Sequence, residues 1–377
     1  MRDDRDDRDD AESEAGGGWR VTADDIQLIA RGAGVLGSGG GGDPYLGQLL
    51  AVTAARDGHH GVIVPLDSLD DDDVVMAIGQ MGTATVFAER LARGHEAVLA
   101  IAAVERHLGT QAAALVCYEI GGLNSVLTLA AAAARGLPVV DADLMGRAFP
   151  ELQMTTLDSG GAPSAPVAVC DDRGNVTIIA ASEDMAWTER LARALLSAMG
   201  GLAYIARPVT RAADLKRLAI GGSYSRAHAI GAALRRAQAD GTPVEMALAA
   251  EGARLALRGT ISVVERRAMG RTMRGSATIQ THGRAGALSS IDFQNEYLIV
   301  RQGSETLATV PDTICVIDEE TGMVVDTGAV QGGLRVIVLV LPADRKLTTP
   351  AALRLVGPGA FGYETSYQEW SGTERSR

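Results

Sequence analysis

The sequence predicts an α/β domain followed by a β-rich domain with helices. Two observations carry this. From residue 22 to about 180, short apolar runs alternate with helical patterns, as in a layered sheet with helices packed on it. From Thr260 onward, short β-rich runs are broken by turn signals, which reads as a barrel or a sandwich. The boundary falls at residue 181. This gives an N-terminal domain at 19–180 and a C-terminal domain at 181–377, preceded by a tail at 1–18.

The elements follow in chain order. Thr22 and Asp25 form a helix start, and Ile26, Ile29, Ala30 and Ala33 repeat at helical spacing. Next comes a glycine run, Gly37-Ser38-Gly39-Gly40-Gly41-Gly42. Asp43 then suits an N-cap, Pro44 the first helical position, and Tyr45–Ala55 a helix. Val74–Ile78 reads as a buried strand, with helices expected at Thr83–Leu91 and His95–Leu108. A strand at Ala112–Tyr118, a helix at Asn124–Arg135 and a strand at Leu137–Val140 complete the alternation. Val167–Cys170 and Val176–Ala180 flank Asp172-Arg173-Gly174-Asn175, a hairpin signal.

Ser182 is the expected N-cap of a helix that ends at Met199. Further helices start near Ser223 and at Thr242-Pro243, the latter ending before Gly259. Strands are expected at Ile314–Ile317, Met323–Val325 and Arg335–Leu341, with turns at Gln302-Gly303-Ser304 and Glu320-Thr321-Gly322.

Composition narrows the function. Of 377 residues, 46% are hydrophobic and only 4% aromatic, so the core is aliphatic. The net charge is −12. Eight acids and three arginines in residues 1–18 supply five of those charges, in a repeat with nothing to bury, which reads as a disordered acidic tail. An acidic body argues against nucleic acid and anionic membrane as partners. No apolar run is long enough to span a membrane, and the N-terminus has no secretory pattern. Cys117, Cys170 and Cys315 are odd in number and far apart, which fits a reducing, cytoplasmic setting.

Candidate chemistry begins at the glycine run. It ends at a helix N-terminus, where free N–H groups favour an anion. Gly37, Gly39 and Gly42 satisfy a dinucleotide spacing, but a helix precedes them where a strand is required. A structural turn and a substrate loop of Gly39, Gly40, Gly41, Gly42 and Asp43 remain as readings. Three polar groups sit where strands should end: Gly79–Thr83, Glu119–Asn124 and Asp141–Asp143. Asn124 and Thr83 also suit helix N-caps, and Asp141 and Asp143 also suit turns. Arg147 could grip a carboxylate with its planar fork, or pair with Asp143 or Glu151. Histidine spacing for a metal is poor: His59 and His60 are adjacent, and His228 and His282 are isolated.

Several strings together resemble one family. They are GVLGSGGGGDPYLG at 34–47, GQMGTATVFAE at 79–89, EIGGLNS at 119–125 and GLPVVDADLMGRAFPELQMTT at 136–156. In the second half they are IDFQNEYLI at 291–299, LATVPDTICVIDEETG at 307–322 and VGPGAFGYE at 356–364. The chain resembles the S-methyl thiohydantoin desulfurase family, which is associated with hydantoinase/oxoprolinase-like proteins. The resemblance implies an N-terminal three-layer α/β domain and a C-terminal β-barrel-like domain with helical additions. It also implies hydrolysis of a five-membered cyclic ureide or thioureide, with S-methyl thiohydantoin yielding hydantoin and methanethiol. The alternative is a non-catalytic accessory or ligand-sensing subunit of a hydantoinase/oxoprolinase-type system.

For that reaction the expected roles are Glu119 or Asp143 as base or ligand to a divalent metal, Arg147 as substrate anchor and Asn124 as ring contact. The Gly39–Gly42 loop would donate N–H groups, and Asn295 and Glu296 would close the site from the second domain. The expected partner is the small ring itself, and the expected assembly is a homo-oligomer.

Overall fold

The computed structural model describes residues 17–56, 61–82, 94–269, 272–282 and 288–370, together with Val86 and Glu89. The acidic repeat at 1–16, His59 and His60, Thr83 and most of the helix expected at Thr83–Leu91 lie outside the described residues.

Helix α1 (Ala23–Leu36) opens on the expected capping box. Asp25 N–H donates to Thr22 Oγ1 at 3.2 Å, and Thr22 N–H donates back to Asp25 Oδ2 at 2.9 Å. Helix α2 (Pro44–Arg56) starts at Pro44, and Asp43 Oδ1 accepts from Tyr45 N–H at 2.9 Å. Helices α3 (Glu96–Leu108) and α4 (Leu123–Arg135) both end on a left-handed glycine, Gly109 and Gly136.

The first sheet has nine strands. They are β1 (Trp19–Arg20), β2 (Val62–Val64), β3 (Val75–Gly82), β4 (Ala114–Cys117), β5 (Val139–Asp143), β6 (Val167–Cys170), β7 (Val176–Ile179), β8 (Leu202–Val209) and β9 (Ile220–Gly221). Their order is β1-β2-β5-β4-β3-β8-β6-β7, with β9 beside β5. Strands β2, β5, β4 and β3 run parallel, and β8 runs antiparallel to both of its neighbours. Asp172–Asn175 make the predicted turn of the β6–β7 hairpin.

Three further helices are α5 (Met185–Ala198), α6 (Ala212–Leu218) and α7 (Ser223–Asp240). Alternate residues of β3 face opposite cores. Met76 and Ile78 join Ile29, Val126 and Ile230 from α1, α4 and α7. Val75 and Ala77 join Met185, Ala192 and Leu215 from α5 and α6. The domain is therefore a mixed sheet with helices on both faces.

Several pieces of this domain come from beyond residue 181. Strand β8 lies between β3 and β6, β9 lies beside β5, α5 and α6 cover one face, and α7 packs along α1. That helix pair is close because two glycines allow it. A Cβ on Gly32 would lie 1.8 Å from Ala227 O, and one on Gly231 would lie 1.9 Å from Leu28 O.

The second sheet has seven antiparallel strands: β10 (Arg254–Met269), β11 (Thr272–Thr281), β12 (Leu288–Phe293), β13 (Tyr297–Gln302), β14 (Glu305–Thr309), β15 (Thr313–Asp318) and β16 (Arg335–Leu341). Their order, β14-β13-β12-β11-β10-β16-β15, is one curled path, a half-barrel and not a sandwich. Cys315 and Ile317 on one face of β15 join the first core, while Ile314 and Val316 pack in a separate core on the other face.

Three expectations are corrected. The N-cap of α5 is Asp184, whose Oδ1 accepts from Trp187 N–H at 2.8 Å, because the Ser182 hydroxyl is engaged with Ser164 and Thr188. The helix starting after Pro243 ends at Ala249, and β10 begins at Arg254 after a turn through Gly252 at φ 88°. Met323–Val325 is not a strand: after the turn at Gly322 it makes one bridge, Ile317 to Val324. No helix among the described residues is long and apolar enough to cross a membrane. All three cysteines are buried and unpaired.

Candidate functional site

The C-terminal ends of β3 and β4 open onto a cleft of about 2110 Å³, faced from the other side by the C-terminal domain. That is larger than the roughly 300–1,000 Å³ of an ordinary small-molecule pocket. Glu119, Asn124, Gly39–Asp43, Asn295 and Glu296 all line it.

Glu119 follows β4 and is buried. Its Oε1 accepts from Asn124 Nδ2 at 2.7 Å and its Oε2 accepts from Phe149 N–H at 3.0 Å. Asn124 is in turn fixed by β3, since its Oδ1 accepts from Gln80 N–H at 2.8 Å. Asn124 is not the N-cap of α4. That position is Gly122 at φ 76°, where a Cβ would lie 2.3 Å from Gly41 O. The Asn124 side chain is thereby left for the site. Burial pushes the Glu119 carboxyl up to about 8, against the two N–H donors, which favour the anion. The nearby Asp143 charge adds to the rise and Arg147 opposes it.

Glu296 sits in the bend between β12 and β13 and is only 3% exposed. Its Oε2 is buried without a hydrogen-bond partner. Burial raises this carboxyl to about 8, with Arg147 pulling it down and Glu119 pushing it up. Two carboxyls from different halves of the chain therefore repel each other across one cleft.

The structure does not bring Asp143 or Arg147 to the cleft wall. Asp143 is fully buried at the end of β5. Its Oδ2 accepts from the N–H groups of Ile120 (3.0 Å), Met145 (3.2 Å) and Gly146 (2.7 Å), and its Oδ1 accepts from Ser223 Oγ at 2.6 Å. Burial raises it to about 6 against those donors. With its oxygens occupied, it holds the β4 and β5 loops in place and is not positioned as a base. Arg147 pairs with neither Asp143 nor Glu151, and it does not line the cleft. Its guanidinium donates to Ala148 O (3.2 Å), Asp312 O (2.7 Å) and Tyr297 O (3.1 Å), so it ties the two halves together. Asp141, from the same segment, accepts from Tyr224 N–H at 2.7 Å and Ser225 N–H at 3.1 Å and so caps α7.

The glycine run is both a structural joint and a cleft wall. Gly39, Gly41 and Gly42 have φ of 80°, 77° and 77°, and Ser38 has 51°. The carbonyls of Ser38 and Gly39 accept from Tyr297 and Thr327 of the second domain, at 2.8 and 2.9 Å. The carbonyl of Gly41 accepts from Leu123 of the first domain at 2.9 Å. Gly40 backs onto Glu296: a Cβ there would lie 2.6 Å from Glu296 Oε1.

Among the described residues, no three His, Cys, Asp or Glu side chains gather in a metal-binding arrangement. Among the described residues, Glu119 therefore lacks the further His, Cys, Asp or Glu ligands that the expected metal role would need beside it.

Family models of S-Me-THD-like proteins match the chain twice, the N-terminal domain over residues 24–181 and the C-terminal domain over 183–370. The chain belongs to the S-Me-THD-like family. No curated protein matches it. A solved structure of a protein from Chromobacterium violaceum shares the S-Me-THD-like chain's fold, with a TM-score of 0.77 at 23% identity. The match covers 93% of this chain and 99% of that one.

Sequence reasoning missed the main-chain donor of Phe149. It named Gly79–Thr83 as a polar strand end without singling out Gln80, whose Nε2 is buried without a partner on a cleft-lining residue, as are Glu245 Oε2 and Arg258 Nε. A backbone N–H from Phe149 has no sequence signature.

Proposed function

We propose that this S-Me-THD-like chain is a hydrolase of five-membered cyclic ureides and thioureides, releasing methanethiol from S-methyl thiohydantoin to leave hydantoin. The observation that carries this reading is Glu119: a buried carboxyl at a strand's C-terminal end, oriented by two N–H donors and facing a cleft. Each carboxylate oxygen has two lone-pair sites, so both keep one for a water molecule. With the carboxyl raised to about 8, its base form grows as pH rises towards 8, and thiol release should rise with it. The sulfur-bearing ring carbon is amidine-like and electrophilic, so water activation is the step that needs help. Gly39–Gly42 and Asn295 shape the wall that receives the ring.

The test is methanethiol release from S-methyl thiohydantoin by the full chain, with hydantoin measured as the second product. Release by wild type and its loss in Glu119→Gln is the expected result. Saturable binding of the ring with no thiol release would overturn the enzymatic reading in favour of a ligand-sensing subunit.

A further inference from the structure

We propose that Glu296, supplied by the second half of the chain, is the proton donor of this site. The proposal rests on the reading of Glu119 as base. Its geometric ground is the contrast between the two carboxyls. Glu119 has an N–H donor on each oxygen, an arrangement that holds a negative charge. Glu296 Oε2 is buried in the same cleft with no partner at all. The carboxyl takes an N–H from its own backbone, but Oε2 takes none, and a buried anionic oxygen without a donor is costly, so this oxygen is better occupied as O–H. That O–H then lacks an acceptor, and an imine nitrogen of the ring is one. On the glycine-loop side Oε1 lies so close to Gly40 that a Cβ there would be only 2.6 Å away. Gln80 Nε2, Arg258 Nε and Glu245 Oε2 are also unpartnered on cleft-lining residues, but an amide and a guanidinium do not give up a proton, and the Glu245 carboxylate is held by its ion pair with Arg258.

The step balances as follows. Water adds to the sulfur-bearing carbon while Glu119 takes its proton. The C=N electron pair moves onto the ring nitrogen, which takes the proton from Glu296 Oε2. The tetrahedral centre then breaks its C–S bond. The departing sulfur takes the proton held by Glu119, and the new hydroxyl returns its proton to Glu296 as the carbonyl forms. Ring plus water becomes hydantoin plus methanethiol, and both carboxyls are restored.

A pair of substrates tests this role. One is neutral S-methyl thiohydantoin, and the other is its ring-nitrogen-methylated, permanently cationic counterpart, which needs no proton. Glu296→Gln should slow the neutral ring by about 100-fold yet stay within about threefold of wild type on the cationic ring. Glu119→Gln should be slow on both. If Glu296→Gln folds poorly, Glu296→Asp keeps the acid but withdraws it, and the same selective loss on the neutral ring is expected. Equal losses on the two rings, or a wild-type rate on the neutral ring, would overturn the proton-donor role while leaving the base intact. If wild type releases thiol from neither ring, the hydrolase reading and this inference fall together.

Discussion

The two carboxyls of the cleft are alike in burial and opposite in support. Glu119 comes from the parallel sheet and has a donor on each oxygen. Glu296 comes from the half-barrel and has an oxygen with none. The difference teaches that burial alone does not assign a role: it raises both carboxyls to about 8, and the donors are what set the two apart.

The sharpest way to break this contrast is Glu119→Gln. Thiol release should fall by at least about 100-fold. The amide also sets an NH₂ group against either Asn124 or Phe149, so stability should drop by about 1–3 kcal/mol, read by urea unfolding. Retained turnover would move the base elsewhere.

Arg147 comes next, because it fixes the Glu296 side through Tyr297 and Asp312. Arg147→Met takes a donor from three buried carbonyls, of which Tyr297 O keeps only the Ser38 hydroxyl at 3.4 Å, and should cost about 2–4 kcal/mol. Arg147→Lys should recover less than half of that, since an ammonium lacks the planar fork that reaches all three. Full recovery by lysine would show that charge, not geometry, holds the halves together.

Smaller still is Gly40→Ala. Its methyl group would meet Glu296 Oε1 at 2.6 Å and Cγ at 2.7 Å, so turnover should fall about tenfold with a modest loss of stability. Gly42→Ala is the control. Its methyl group would have ordinary contacts with Leu123 at 3.4 Å or more, so it should cost about 1–2 kcal/mol for its φ of 77° and, though Gly42 also lines the cleft, lower kcat by less than Gly40→Ala does. Equal kinetic losses would mean that the loop responds to any added atom.

The last effect is a slope. Both carboxyls bind a proton more tightly in the folded chain, at about 8, than at the ordinary 4.5. Their contribution to stability is complete below pH 4.5 and is lost as pH rises through 8. Glu296→Gln removes one of the two groups, so its unfolding free energy should fall less steeply than wild type from pH 5 to 8. Parallel curves would show that Glu296 is not held apart from water.

What could be read from the sequence was mostly local. The Thr22–Asp25 capping box, the glycine run entering α2 at Pro44 and the Asp172–Asn175 hairpin each close within a few residues. Glu119 was legible because an apolar strand and two glycines bracket it. Arg147 was misread because a guanidinium bound to carbonyls looks the same in sequence as one that awaits a carboxylate. Its acceptors at Tyr297 and Asp312 lie 150 and 165 residues away and leave no side-chain trace. Asp143 was misread for a related reason: three of its four donors are main-chain N–H groups. The position of β8 between β3 and β6 was equally hidden, because pairing order depends on distant partners.

Ser38 gives the molecule a timetable. Its hydroxyl donates to Ile314 O at 2.7 Å and accepts from Ile314 N–H at 3.1 Å, while its carbonyl accepts from Tyr297 N–H. A ribosome makes residue 38 early and residue 314 some 276 positions later. The first helices can form at once, but the joint behind the cleft has no partners until most of the chain has emerged. Contacts of such long range slow a fold. The nascent first half also waits for β8, leaving β3 and β6 with open edges until Leu202–Val209 arrives. The cleft is therefore among the last features to assemble, and a chain cut short at residue 181 would carry Glu119 without the walls that make it useful.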